Sequence, residues 1–217
     1  MRRVYIIRHG KTLGNKEGYY QGRKNLLTEE GKEQCRLLAR FFKVFKEAYP
    51  PPSVIYSSSD TRALQTACIL SYEIFGDDRR PVISMPELHE MRHGEWENTP
   101  HKKVPELYPE LYRLWMEDPI KVKFPGGEST IEARQRTIMA WRKLLRETDD
   151  DIIVIGHVVT NTFILADVQC TENLRTIRQD NACLNVIEEE NCKLKVVLLN
   201  STLHLTAPLI QILSQAQ

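Results

Sequence analysis

Two short stretches of the chain are apolar from end to end. Val4-Tyr5-Ile6-Ile7 and Ile152-Ile153-Val154-Ile155 show no polar alternation. Runs of this length and β-branched content predict strands covered on both faces, as in parallel sheets. Each run ends at groups able to do chemistry, the first in Arg8-His9-Gly10 and the second in Gly156-His157.

Between them the pattern changes to a helical period. Thr28 followed by Glu29 and Glu30 predicts a helix start, and Cys35, Leu38, Phe41, Phe42 and Phe45 supply its buried face until Tyr49 and Pro50 to Pro52 end it. Val54-Ile55-Tyr56 predicts a second strand, and Ser57 to Asp60 opens a helix through Ala63, Ala67 and Leu70. Pro81 to Met85 predicts an edge strand. Ser129-Thr130-Ile131-Glu132 is a capping box for a helix ending near Arg146, and another helix is expected from about Thr160 to Asp167. Asn185-Val186-Ile187 and Leu194 to Leu199 predict a hairpin turned at Glu189-Glu190-Asn191, and Pro208 to Gln217 a short terminal helix.

Two stretches lack a regular period. Leu13 to Leu27 is a polar loop containing Gly14, Gly18 and Gly22, and 86–127 is rich in proline, with one short helix expected at Tyr108 to Met116. The second is expected to form a lid over the site rather than a separate domain. Alternating strands and helices over 1–217 predict one α/β domain, a three-layer α/β/α sandwich around a mostly parallel sheet.

At 217 residues the chain can bury a sizeable core. Its 30 Lys and Arg balance 29 Asp and Glu, so no overall field selects nucleic acid or an acidic membrane. No apolar stretch has the length needed to span a bilayer and no signal segment precedes Tyr5, so a cytoplasmic protein is expected. The five cysteines Cys35, Cys68, Cys170, Cys183 and Cys192 are odd in number and widely spaced, which predicts reduced thiols, mostly small core residues. None begins a Cys-x5-Arg spacing.

The chemistry concentrates where strands end, because open α/β sheets bind ligands beyond the carboxyl ends of their strands. Arg8 and His9 follow the first strand, His157 follows another, and Arg62 lies in the first turn of a helix, where free N–H groups and a guanidinium converge on one anion. Four groups of this kind suit a phosphoryl group and its transition state. A neutral imidazole can attack phosphorus and hold it as phosphohistidine. His9 is the candidate nucleophile. Glu90, if kept protonated by burial, is the candidate acid for the leaving alcohol.

The ordered motifs Arg8-His9-Gly10 with Thr12 and Asn15, Tyr20-Gln21-Gly22, Thr61-Arg62-Ala63, Glu90 with Gly94 and Trp96, Pro125-Gly126-Gly127-Glu128-Ser129 and Gly156-His157 resemble the histidine phosphatase superfamily, the phosphoglycerate mutase-like proteins, over nearly the whole chain. The resemblance implies a phosphoglycerate mutase-like fold. It implies His9 as the phosphorylated residue, Arg8, Arg62 and His157 as the phosphate pocket with Asn15 assisting, and Glu90 as proton donor. No metal and no cofactor is implied. Val158 and Asn98 depart from the usual residues after His157 and Glu97.

Within the superfamily, Tyr20-Gln21-Gly22, Asp180-Asn181-Ala182 and Asn200-Ser201-Thr202 with His204 are most similar to the metal-independent phosphoserine phosphatases. That likeness implies Gln21, Gly22, His93 and His204 as substrate-binding residues. It also implies phosphoserine as the leading small-metabolite substrate, a role in serine biosynthesis, and a homodimer. A broad-specificity or sugar phosphatase and a phosphoglycerate mutase are the alternatives, and a non-catalytic scaffold is a remote one.

Two other motifs are weaker. Gly10-Lys11-Thr12 resembles the end of a nucleotide-binding phosphate loop, but Tyr5 stands where that motif needs glycine. His89-Glu90-Met91-Arg92-His93 spells a zinc protease signature, which requires both histidines on one helix face. Pro86 and Gly94 leave little room for that helix. Trp115, Trp141, Tyr112 and the Phe41-Phe42-Phe45 group are expected in the core, and Lys102-Lys103 on a solvated face.

Overall fold

A computed structural model describes residues 2–52 and 54–215; Ala216 and Gln217, the end of the expected terminal helix, lie outside the described residues. The elements are β1 (Arg2–Arg8), α1 (Leu13–Glu17), α2 (Glu29–Val44), β2 (Val54–Ser58), α3 (Thr61–Phe75), β3 (Val82–Met85), α4 (Val104–Leu107), α5 (Pro109–Glu117), α6 (Thr130–Glu147), β4 (Ile152–Gly156), α7 (Val158–Gln169), β5 (Leu184–Glu190), β6 (Lys193–Ser201) and α8 (Ala207–Gln215).

The strands form one six-stranded sheet in the order β3-β2-β4-β1-β5-β6. The first four run parallel, and β5 and β6 pair antiparallel, which makes the sheet mixed. β1 lies inside the sheet between β4 and β5, and its side chains divide between two cores. Val4 and Ile6 pack with Trp141 and Leu144 of α6 and Ile164 of α7. Tyr5 and Ile7 pack with Leu38 and Phe42 of α2 and Ala67 of α3. All four strand residues are fully buried, and each contributes on the order of 2 kcal/mol on that account. Both faces are therefore apolar because helices cover both.

The helix starts follow from local chemistry. Thr28 accepts from the N–H of Gly31, and Ser129 and Glu132 form the expected capping box. The loop expected over Leu13 to Leu27 instead contains α1, whose N-cap Thr12 forms a capping box with Asn15. Five residues are too few to show a period, so hydropathy alone does not reveal this helix. α7 starts at Val158, two residues earlier than expected. The hairpin turn is Asn191-Cys192, with both residues at positive φ (51° and 61°), and Glu189 and Glu190 belong to β5.

The 86–127 stretch is better packed than its proline content suggests. Met91, Trp96, Val104, Val122 and Phe124 form an apolar cluster with Ala133 of α6 and Phe163 of α7. Gly94 sits at φ 56°, and a Cβ there would stand 2.0 Å from the Pro125 carbonyl oxygen, so this crossing accepts only glycine. Cys35 and Cys183 are buried, but Cys68, Cys170 and Cys192 are exposed, against the core role expected of most cysteines. Cys170 caps α7 in the left-handed region and Cys192 lies in the hairpin turn, positions set by backbone geometry rather than by side-chain burial. Among the described residues no helix is long and apolar enough to cross a membrane.

Candidate active site

Strand register brings the two sequence-distant histidines together. Arg8 pairs with Gly156, so β1 and β4 end at one level, and the N–H of His9 donates to the Gly156 carbonyl at 3.1 Å. The His9 and His157 ring centres lie 5.2 Å apart. A Cβ at Gly156 would stand 2.2 Å from Oδ1 of Asn161, so glycine permits the tight passage from β4 into α7.

His9 is 2% exposed and held at both nitrogens. Nδ1 is 2.7 Å from the Gly10 carbonyl, which can only accept, and Nε2 receives the Nε–H of Arg62 at 3.2 Å. These partners assign the proton to Nδ1 and leave the lone pair on Nε2. Burial, then the charges of Arg62 and Arg8, hold His9 well below the usual imidazole range. The ring is therefore neutral, as a nucleophile requires.

The surrounding groups favour an anion. Arg62 is buried and donates to the Gly22 carbonyl at 2.8 Å. Arg8 donates to the Gln179 carbonyl at 2.7 Å, while its buried Nε has no partner among the described residues. His157 is fully buried, with Nε2 2.8 Å from Ser58 Oγ and Nδ1 without a partner among the described residues. Two orphaned polar atoms beside His9 fit a group that would supply oxygen lone pairs.

Glu90 is half-buried at the start of α7. Its carboxylate accepts from the backbone N–H groups of Met91 (2.9 Å), Val159 (3.2 Å) and Thr160 (3.3 Å). These bonds aim the side chain into the same cavity, which has a volume of about 250 Å³ and is lined by Arg8, His9, Asn15, Gln21, Arg62 and Glu90. Oδ1 of Asn15 accepts from Thr12 Oγ1 at 2.8 Å and from Asn181 Nδ2 at 3.0 Å, which leaves its amide N–H groups for a ligand. Gln21 is anchored on Thr12 at 2.6 Å. Gly22 acts through its carbonyl on Arg62 rather than by lining the cavity.

The opposite wall comes from the 86–127 stretch. His93 is buried, and its ring lies 4.8 Å from Tyr20 and 4.9 Å from Phe124. Its Nδ1 has no hydrogen-bond partner among the described residues, and burial pushes its pKa down to about 3, so it meets a ligand as a neutral ring. Tyr20, His101 and Trp115 complete this wall. Trp115, expected in the core, does pack against the apolar cluster of that stretch, 5.4 Å from the Phe124 ring, and it also lines the cavity. His101 lies on a single turn with no periodicity, and sequence reasoning missed it.

His204 is not part of the site. It is buried 6.4 Å from Phe41, on a turn that packs against α2, and it does not line the cavity. The substrate contact expected of it is not seen on the cavity wall, because the fold turns the ring toward Phe41 of α2. His89 to His93 runs without helix between the turns Pro86–Leu88 and Gly94–Trp96, so the two histidines do not share a helix face as a zinc protease site requires.

A family model for the histidine phosphatase superfamily (branch 1) matches residues 4–202. Phosphoserine phosphatase 1 of Hydrogenobacter thermophilus is 32% identical over 211 residues, spanning 94% of this chain and 95% of that protein. The adenosylcobalamin/alpha-ribazole phosphatase of Escherichia coli is 27% identical over 191 residues, 86% of this chain and 89% of that protein. Among solved structures, YhfR of Bacillus stearothermophilus shares the fold at a TM-score of 0.83 and 23% identity, across 95% of this chain and 100% of that one.

Proposed function

The chain belongs to the histidine phosphatase superfamily, and from that premise we propose that it is a metal-independent phosphomonoesterase that works through a phosphohistidine at His9, with phosphoserine as its leading substrate. The observation that carries the reading is the environment of His9 Nε2. The Nε2 lone pair of a neutral ring, unprotonated and facing the Arg62 guanidinium, stands among Arg8, Arg62 and His157 in a cavity that Glu90 also reaches.

In the first step Nε2 attacks phosphorus in line with the ester oxygen. The N–P bond forms, the P–O bond breaks, and Glu90 gives its proton to the departing alkoxide. Arg8, Arg62 and His157 hold the equatorial oxygens as charge spreads over them. In the second step Glu90 takes a proton from water as its oxygen attacks phosphorus; the P–O bond forms, the N–P bond breaks with its electron pair returning to Nε2, and neutral His9 and inorganic phosphate result.

The size and wall of the cavity support a small substrate. About 250 Å³ lies below the usual range for drug-sized ligands, roughly 300 to 1,000 Å³. This favours an amino-acid phosphate over a nucleoside phosphate of the kind named for the alpha-ribazole relative. Neutral His93, with Gln21 beside the phosphate end, offers hydrogen bonds to the carboxylate and ammonium of phosphoserine, and the name of the 32%-identical relative points the same way.

Phosphate release from phosphoserine, 3-phosphoglycerate and sugar phosphates, with and without EDTA, tests the reading. Chelator-insensitive turnover with kcat/KM highest for phosphoserine is expected. Activity spread evenly over the panel would remove the phosphoserine assignment, and loss with EDTA would remove metal independence.

A further inference from the structure

Asp60 stands at the N-cap of α3, where an aspartate ordinarily accepts from the first free N–H groups of the helix, but its side chain makes no such bond. The carboxylate is 2% exposed and turns into the site instead. Oδ2 accepts from Arg62 at 3.3 Å and from the backbone N–H of Glu90 at 3.4 Å, and it lies 3.4 Å from Nε2 of His157. Oδ1 accepts from Arg23 at 3.1 Å. One buried carboxylate thus touches three of the residues around the nucleophile. A buried charge is costly unless it is paired, and here the pairing is spent on the active site rather than on the helix.

We propose that Asp60 is a positioning residue for phosphoryl transfer: it accepts the Nε2 proton of His157, leaves Nδ1 for the phosphoryl oxygens, and stabilises the imidazolium that forms when a phosphate dianion occupies the cavity. The inference rests on the reading of that cavity as the phosphoryl site. The charged and titratable groups around His157 are Arg8 and His9 at the end of β1, Asp60 and Arg62 at the start of α3, and His89 and Glu90 after β3. Burial and then the positive charge of Arg62 keep the ring neutral. A bound dianion offsets that charge, and Asp60 is the anion already in place on the far side of the ring. Proton uptake on binding then gives the pocket a third cation for the charge that develops on the equatorial oxygens.

Ser58 defines the competing arrangement. Its Oγ is 2.8 Å from the same Nε2 and accepts from the Asp60 N–H at 3.1 Å, so its own proton is free to be donated to Nε2. That would put the ring proton on Nδ1 with no need of the carboxylate.

Histidine 15N NMR of the full chain, with and without orthovanadate at pH 7, separates the two. For the wild type the expectation is a neutral His157 protonated at Nε2 in the free enzyme and a doubly protonated ring in the vanadate complex. Asp60→Asn should keep the ring neutral with vanadate, weaken vanadate binding about 100-fold, lower kcat by a similar factor with KM within about threefold, and move the alkaline limb of the kcat profile to lower pH. An unprotonated Nε2 in both wild-type spectra, or vanadate affinity and pH profile unchanged in Asp60→Asn, would overturn the proposal. If Asp60→Asn does not fold, the wild-type spectra decide alone. A wild type that neither binds vanadate nor releases phosphate would overturn the phosphoryl reading itself, and this inference with it.

Discussion

Nε of Arg62 donates to Nε2 of His9 across 3.2 Å, so a cation covers the lone pair to which the proposed attack on phosphorus is assigned. The resting site is capped until a phosphoryl group offers the guanidinium better acceptors. Arg62→Ala is expected to lower kcat/KM by about 10²- to 10³-fold, the scale for losing one donor to a developing oxyanion. The sign of a second effect is fixed by charge. Arg62 is one of the cations that hold His9 below its usual range, so its removal raises the His9 pKa and moves the acid limb of the kcat/KM profile to higher pH. An acid limb that stays in place would show that His9 titration does not limit the reaction.

Glu90 is held in the cavity wall by the first N–H groups of α7, and the proposed mechanism makes it the acid for the leaving oxygen. Glu90→Gln should therefore cost about 10²- to 10⁴-fold on an alkyl phosphate and far less on p-nitrophenyl phosphate, whose leaving group needs little protonation. Steady-state rates on both substrates check this. Equal losses would assign Glu90 to binding or structure.

His93 lines the cavity as a buried, neutral ring. His93→Ala is expected to raise KM for phosphoserine about tenfold with a smaller change in kcat, and to leave KM for p-nitrophenyl phosphate nearly unchanged, because the lost contact is made equally in the ground and transition states. A phosphoserine KM that does not move would reduce His93 to packing against Tyr20 and Phe124.

Buried neutral histidines set an acid limit on stability. Burial pushes His93 down to about 3 and His204 to about 4, while in the unfolded chain each titrates near about 6.5. The folded pKa is the lower one, so their contribution is complete above pH 6.5 and is lost as pH falls from there toward 4 and 3. At pH 5 the loss is on the order of 2 kcal/mol for each. The urea midpoint is expected to fall between pH 7 and pH 5, and by less in His204→Phe, which removes one titrating ring far from the cavity. An identical fall in that variant would place the acid sensitivity in other groups.

The alternation of buried strand and helix, and the chemical groups at the strand ends, were legible because they are local. Val4 to Ile7 and Ile152 to Ile155 are apolar throughout since helices cover both faces of the sheet, and a strand end has to be followed by a turn whose residues are already written next to it. Arg8, His9 and His157 could be picked out on that ground, Arg62 from its place at a helix start and Glu90 from the leaving group's need for an acid, and the cavity gathers Arg8, His9, Arg62 and Glu90, with the His157 ring against His9.

Other features were decided only by tertiary structure, because each depends on a register or a side-chain direction with no local signature. The pairing of Arg8 with Gly156 places His157 against His9. The meeting of α5 with the cavity makes Trp115 a wall residue, while the turn that carries His204 packs against α2 and buries its ring beside Phe41. Asp60 carries the sequence signature of a helix cap, and nothing in its neighbours tells the carboxylate to turn away from α3. It faces Arg62, two residues on in the first turn of the same helix, and His157, just beyond the end of β4 and nearly 100 residues away. A capping residue can be read from a few adjacent letters; a carboxylate shared among residues from three segments exists only once the sheet has set those segments side by side.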